Sequence, residues 1–182
     1  MNIKGLMLLA DGFEDTEAFA TYDVLVRGGL KMTTATPNHN LNVISVRNHP
    51  VKAEITFNDV FPEDYDFLVI PGGRGVSVLE QEKRTSEIIN AFVASDKLVA
   101  AICAAPSIVG KLGHYKDHAF TCFPGYEAEI KAGKHVDKGV VVSGNFITGK
   151  AMYYSIDFGL AIVEALLGKE AREKTLKNLK GE

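Results

Sequence analysis

The chain has 182 residues, 46% of them apolar and 24% charged, with a net charge of −3 from 20 basic and 23 acidic side chains. That length suits one domain over residues 1–182, and 17 glycines with 6 prolines exclude collagen-like and low-complexity chains. The charge balance offers no basic field for a nucleic-acid partner, and no apolar run approaches the ~20 residues of a membrane span.

The apolar run near the N-terminus is short and meets Asp11, so it reads as a first strand and not as a signal peptide. Two cysteines, Cys103 and Cys122, without a Cys-x-x-Cys pair exclude a disulfide framework and point to a reduced, cytoplasmic setting.

Short β runs alternate with helical stretches, the pattern of a parallel α/β sheet. A strand is expected over 6–10 and a helix over 14–27, the latter with Ala18, Tyr22, Leu25 and Val26 apolar. Gly28 and Gly29 end that helix. A strand follows over 31–36, then a hairpin excursion over 42–47 and 51–53. The next strand, 66–70, stops at Pro71. A helix over 85–95 carries Ile88, Ile89, Phe92 and Val93 on one stripe. Residues 98–102 form a buried strand and 106–112 a helix with Pro106 near its start. A strand over 140–143 and a helix over 154–167 close the pattern. The charged tail from Lys169 reads as a surface helix.

Ligands in open parallel sheets sit outside the carboxyl ends of the strands. That rule selects the loops 11–17, 71–75 and 103–106. Cys103 lies where a buried strand turns into a helix within about three residues, as a nucleophile elbow does. A helix N-terminus favours thiolate over thiol; the alternative is a buried structural cysteine. Gly72 and Gly73 let backbone N–H groups approach a ligand, and with the Ala104 N–H they make a candidate oxyanion hole; the alternative is a plain turn. Glu14 and Asp15 complement the helix dipole. Glu17, one turn further in, would face Cys103, stay protonated beside a thiolate and shuttle a proton.

Two patterns are decoys. Gly144-Asn-Phe-Ile-Thr-Gly-Lys-Ala151 nearly fits a phosphate loop after a strand, but it lacks the hydroxyl for Mg²⁺ and places Phe146 and Ile147 in the loop. His114, His118 and Cys122 are spaced by fours, yet Gly113 and the β-like 119–122 break the helix that would align them on a metal. His39, His49 and His135 sit in polar, loop-like segments.

Five pieces, in order along the chain, carry a family resemblance: Ala10-Asp-Gly-Phe-Glu-Asp-Thr-Glu-Ala18, Asp23-Val-Leu-Val-Arg-Gly-Gly29, Tyr65-Asp-Phe-Leu-Val-Ile-Pro-Gly-Gly73, Val99-Ala-Ala-Ile-Cys-Ala-Ala-Pro106 and Ser155-Ile-Asp-Phe-Gly-Leu-Ala-Ile-Val-Glu-Ala-Leu-Leu-Gly168. With them the chain resembles the ThiJ/PfpI superfamily in its DJ-one (Parkinson-associated) branch. The resemblance implies a flavodoxin-like three-layer α/β/α sandwich with a mostly parallel sheet, like that of class I glutamine amidotransferases, and a homodimer. It implies Cys103 as nucleophile, Glu17 as its protonated carboxyl partner, Gly73 and Ala104 as oxyanion donors, and Arg47 as an arginine that reaches a neighbouring site across the dimer. It implies glyoxalase III or deglycase chemistry on a small aldehyde or a glycated protein, without cofactor or metal. An oxidation sensor and a chaperone-like module are the other activities described for the branch. PfpI-type peptidases want a histidine directly after the nucleophile, where this chain has Ala104. The branch often carries a histidine near the nucleophile; segment 131–137 is shorter here, and His135 is not assigned that part. Segment 148–154 replaces a Ser-x-Gly-Pro-Gly-Thr loop, and Met152, Tyr153 and Tyr154 are expected to narrow or reshape the pocket.

Overall fold

The computed structural model describes residues 2–182. Its elements in chain order are β1 (Lys4–Leu8), α1 (Asp15–Arg27), β2 (Lys31–Thr36), β3 (Asn42–Ile44), β4 (Pro50–Lys52), β5 (Ile55–Thr56), β6 (Phe67–Ile70), α2 (Gly75–Gln81), α3 (Lys83–Ala94), β7 (Leu98–Ile102), α4 (Pro106–Lys111), β8 (Ala119–Phe120), β9 (Lys134–His135), β10 (Val140–Ser143), β11 (Phe146–Gly149), α5 (Ser155–Leu167) and α6 (Lys169–Lys180). Short 3₁₀ turns fill several of the gaps.

Seven strands form one sheet in the order β10-β11-β7-β6-β1-β2-β5. Every neighbouring pair is parallel except β10 with β11. Alternate residues of a strand point to opposite faces. In β1, Leu6 and Leu8 therefore enter one core while Met7 enters the other. In β7, Val99 and Ala101 part company with Leu98, Ala100 and Ile102 in the same way. A strand buried on both faces must be apolar throughout, which is why the sequence shows unbroken runs here and not alternation. One core is closed by α2, α3 and α4, through Leu79, Ile88, Phe92 and Ile108. The other is closed by α1 and α5, through Val24, Leu25, Phe158 and Leu160. The result is a flavodoxin-like α/β sandwich.

The strands expected over 98–102 and 140–143 have those bounds. The first strand does not. It starts at exposed Lys4, because the ladder pairs Lys4 with Lys31 before the apolar run begins. Apolar runs mark burial, whereas hydrogen bonding sets the ends of a strand.

A larger correction concerns 144–151. The phosphate-loop look-alike is a hairpin. Gly144 and Asn145 turn the chain, and Phe146 and Ile147 lie in β11, between β10 and β7, one in each core. A loop would have exposed two large apolar side chains that the sheet removes from water. Lys150, the would-be phosphate lysine, pairs with Asp137 (2.6 Å). The tail forms the expected surface helix, α6, and one face of it packs on the fold. Thr175 is buried, Leu176 and Leu179 pack on the α1/α5 core, and Arg27 Nη1 donates to Asn178 Oδ1 (2.9 Å). Helix α2, absent from the sequence reading, is a seven-residue piece rich in valine.

Among the described residues no helix is long and apolar enough to cross a membrane.

Phe92 is fully buried between α3 and the sheet, with Lys97 Nζ 5.5 Å above its ring. Phe92→Ala is expected to lower the unfolding free energy by ~3–5 kcal/mol in urea titrations, with the denaturant slope unchanged.

Candidate active site

The order of the parallel strands, β5-β2-β1-β6-β7-β11, reverses direction between β1 and β6, and ligands of such sheets bind beyond the strand ends at that reversal. Three loops meet there: the one after β1, the one after β6 and the one after β7.

Cys103 stands just past β7 with φ +66, in the left-handed region that non-glycine residues avoid. Such a conformation costs ~1–3 kcal/mol and persists only where the surroundings over-determine it. They do so here. Cys103 N–H donates to Gly149 O (2.9 Å) in β11, and Phe123 N–H donates to Cys103 O (2.8 Å). Ala105 N–H closes the turn on Ile102 O (3.1 Å), and Pro106 opens α4 as the sequence indicated. The thiol is half-buried.

Glu17 is 1% exposed. Its placement starts with Glu14, the N-cap of α1, whose side chain accepts from Glu17 N–H (2.8 Å). One turn in, the Glu17 side chain turns down onto the strand ends. Gly72 N–H donates to Glu17 Oε2 (2.7 Å), while Oε1 is buried without a hydrogen-bond partner. Gly72 has to lack a side chain. A Cβ there would stand 2.7 Å from both Cys103 Cβ and Glu17 Oε2. Gly73 has φ +87, and its Cβ would fall 2.5 Å from Gly12 O.

Burial pushes the Glu17 carboxyl up to about 7 against hydrogen bonds from Cys103 and Gly72, and the Glu14 charge adds to the rise. Burial, then the Glu17 carboxylate, push the Cys103 thiol up, while the amides of Ala104 and Gly73 pull it down. The two groups therefore titrate as a pair. A proton on Glu17 removes the negative charge beside the sulfur, so the charge effect by which Glu17 raises the thiol pKa is lost.

The cavity at Cys103 holds about 220 Å³ and is lined by Val46, Gly73, Arg74, Cys103, Ala104, Phe123 and Tyr126. Of the residues singled out in the sequence, Cys103, Gly73 and Ala104 line it, and Glu17 and Gly72 lie beneath. Arg47 does not line it. Its side chain is exposed on the turn after β3, and only its N–H is engaged, donating to Asp15 Oδ2 (3.3 Å). Met152, Tyr153 and Tyr154 do not line it either, which corrects the expectation that they shape the pocket of this chain. Tyr153 is 82% exposed, and Tyr154 packs over Gly139. The lining contains no histidine. His114 contacts Asn90 Oδ1 (2.7 Å), His118 contacts Ser143 Oγ (3.3 Å), and His135 pairs across from Phe120.

Four lining residues were missed in the sequence: Val46, Arg74, Phe123 and Tyr126. Asp11 and Asp15 bring the Val46 turn to the site. Asp11 Oδ1 accepts from Ile44 N–H (2.8 Å) and Asp15 Oδ1 from Ser45 Oγ (2.6 Å). Burial raises the Asp15 pKa, but bonds from Ser45, His49 and Arg47 outweigh it and hold the carboxylate below its ordinary value. Asp15 thus does more than complement a dipole.

The model of the DJ-1/PfpI family matches residues 4–165. The chain belongs to this family. Protein DJ-1 homolog B of Arabidopsis thaliana is 32% identical over 91% of the chain, which spans only 38% of that longer relative. A glutathione-independent glyoxalase of Caenorhabditis elegans is 32% identical, over 96% of the chain and 94% of its own length. A deglycase of Pyrococcus horikoshii is also 32% identical, over 81% and 90%. Among solved structures, oxidized DJ-1 of Toxoplasma gondii superposes with a TM-score of 0.93 at 28% identity, covering 97% of each chain. Drosophila melanogaster DJ-1beta gives 0.90 at 30% identity, over 98% of each chain.

A carboxyl whose pKa rises on folding binds its proton more tightly in the folded state, so stability is greatest at low pH and falls as pH rises from 4.5 to about 7. Urea titrations across that window should show a decline of at most roughly 3 kcal/mol attributable to this group, and Glu17→Gln should flatten it. An unchanged slope in that variant would place the titration elsewhere.

Proposed function

We propose that the chain is a cysteine-dependent enzyme acting on small 2-oxoaldehydes or their protein adducts, of glyoxalase III or deglycase type. The observation that carries this reading is the buried Glu17 carboxyl against Cys103, under the amides of Gly73 and Ala104. The names borne by the worm and archaeal relatives support the same class.

The Cys103 thiolate attacks the aldehyde carbon of a substrate such as methylglyoxal, and the carbonyl oxygen takes up the electron pair as an oxyanion. The N–H groups of Gly73 and Ala104 stabilise that charge. Protonated Glu17 gives its proton to the oxyanion, and the carboxylate so formed takes the proton from the hemithioacetal carbon and returns it to the neighbouring carbon, while the hydroxyl proton passes to the neighbouring oxygen, leaving a thioester of a 2-hydroxy acid. Water hydrolyses the thioester and frees the thiol. None of these steps calls for a cofactor. A cavity of about 220 Å³ with two aromatic walls suits a small, weakly polar carbonyl compound. In this reading Arg47 serves a second copy of the chain in a homodimer, consistent with its exposure and its absence from its own cavity.

Lactate production from methylglyoxal tests the proposal. Cys103→Ala should abolish turnover and Glu17→Gln should lower kcat by at least ~100-fold. Full activity in Cys103→Ala would sink the mechanism.

A second reading, an oxidation sensor, rests on the contrast between half-buried Cys103 and fully buried Cys122. Thiolate character and access direct oxidation along the sulfenic and sulfinic ladder. Mild peroxide should add two oxygens to Cys103, seen by mass spectrometry, before Cys122 changes; simultaneous oxidation of both would count against it.

A further inference from the structure

Outside the Cys103 and Glu17 pair, three metal-ligating side chains converge. Cys122 is buried, Glu127 half-buried and His135 exposed, and one ligand atom from each lies within 4.8 Å of the others. The backbone brings them together. Strands β8 and β9 pair in parallel with Phe120 opposite His135, and Val136 N–H donates to Phe120 O (2.8 Å). The His135 ring leans on Phe120 with centroids 5.6 Å apart. After Cys122 the chain turns through Gly125 and returns Glu127, whose Oε2 accepts from Gly125 N–H (2.7 Å) and stands 3.9 Å from Cys122 Sγ. No spacing rule in the sequence joins these three positions. The regular His114, His118, Cys122 series does not assemble, since both of its histidines are engaged elsewhere.

We propose that Cys122, Glu127 and His135 form a binding site for a zinc-class divalent cation, distinct from the Cys103 and Glu17 pair.

The donor set decides the class of ion. One sulfur, one imidazole nitrogen and one carboxylate oxygen suit borderline-soft zinc and its neighbours, whereas magnesium and calcium want oxygen throughout. Around tetrahedral zinc the ligand atoms lie roughly 3.3–3.8 Å apart, as bond lengths near 2.0–2.3 Å require. Closing from 4.8 Å takes a shift of about 1 Å, which the exposed His135 supplies by rotation while buried Cys122 stays in place. Three protein ligands leave the fourth position to water on the exposed side. When the metal–sulfur bond forms, the Cys122 thiol gives its proton to solvent, and no oxidation state changes.

The site also reaches the Cys103 cavity. Cys122 and Glu127 bracket the segment that carries Phe123 and Tyr126, both cavity-lining residues, and Phe123 N–H holds Cys103 O. A bound ion would tie the two ends of that segment to β9 and stiffen one wall of the cavity.

The full chain, freed of metal with a chelator and desalted, is titrated with cobalt(II) and followed by absorption, and with zinc by calorimetry. One equivalent of cobalt should give a thiolate-to-cobalt charge-transfer band in the near ultraviolet, and one equivalent of zinc should displace it. Magnesium should not. The band should be lost in Cys122→Ser and retained in Cys103→Ala. His135→Ala, which alters only an exposed side chain, should weaken zinc binding by at least about tenfold, so the proposal stays testable if the buried-site variant misfolds. No band in the parent protein, a band that survives Cys122→Ser, or one that disappears in Cys103→Ala would overturn the assignment.

Discussion

Water hydrates a free carboxylate strongly, and the Glu17 carboxyl has been taken out of water with one backbone N–H and a thiol as its company. Several features follow from keeping that contact. Helix α1 must start at Glu14 for residue 17 to face the strand ends. Residue 72 must be glycine, because the space a side chain would fill is shared by the carboxyl and Cys103. Cys103 must take a left-handed conformation to bring its sulfur under the amides of Gly73 and Ala104. A buried, half-satisfied carboxyl destabilises a fold, and groups perturbed in this way cluster at functional sites; this one lies beneath the Cys103 cavity.

Sheet topology makes the contact possible. With β1, β6 and β7 side by side and parallel, the loops that leave their carboxyl ends lie within a few ångströms of each other. Each loop supplies a different kind of group: an acid on the first turn of a helix, glycine amides, and a thiol on a strained turn. The β3–β4 excursion is then pinned over them by Asp11 and Asp15, so that Val46 joins the wall.

The positions that rigid elements bring together were legible in the sequence. The unbroken apolar runs located the central strands, and the rule that ligands sit beyond strand ends selected Glu17, Gly72, Gly73, Cys103 and Ala104. Reading failed where tertiary contacts decide. Residues 144–151 spell a near phosphate loop, yet the gain from burying Phe146 and Ile147 on opposite faces of the sheet made them a strand. Phe123 and Tyr126 sit in irregular backbone with no periodicity to betray their direction. Met152, Tyr153 and Tyr154 looked like pocket residues because their segment stands where the resembled branch has a Ser-x-Gly-Pro-Gly-Thr loop, but they lie outside the lining of the Cys103 cavity.

The strained turn at Cys103 is held by a carbonyl forty-six residues later and by an amide twenty residues later. Neither contact exists until β11 has docked beside β7 and the segment after β8 has folded back. Contacts that distant form late, because the entropy of closing the chain must be met first. The strained geometry of Cys103 is therefore not a local property of its own sequence. A partly folded chain carries an unstrained cysteine at that position, and the turn that sets Cys103 against Glu17 comes into being only with the completed sheet.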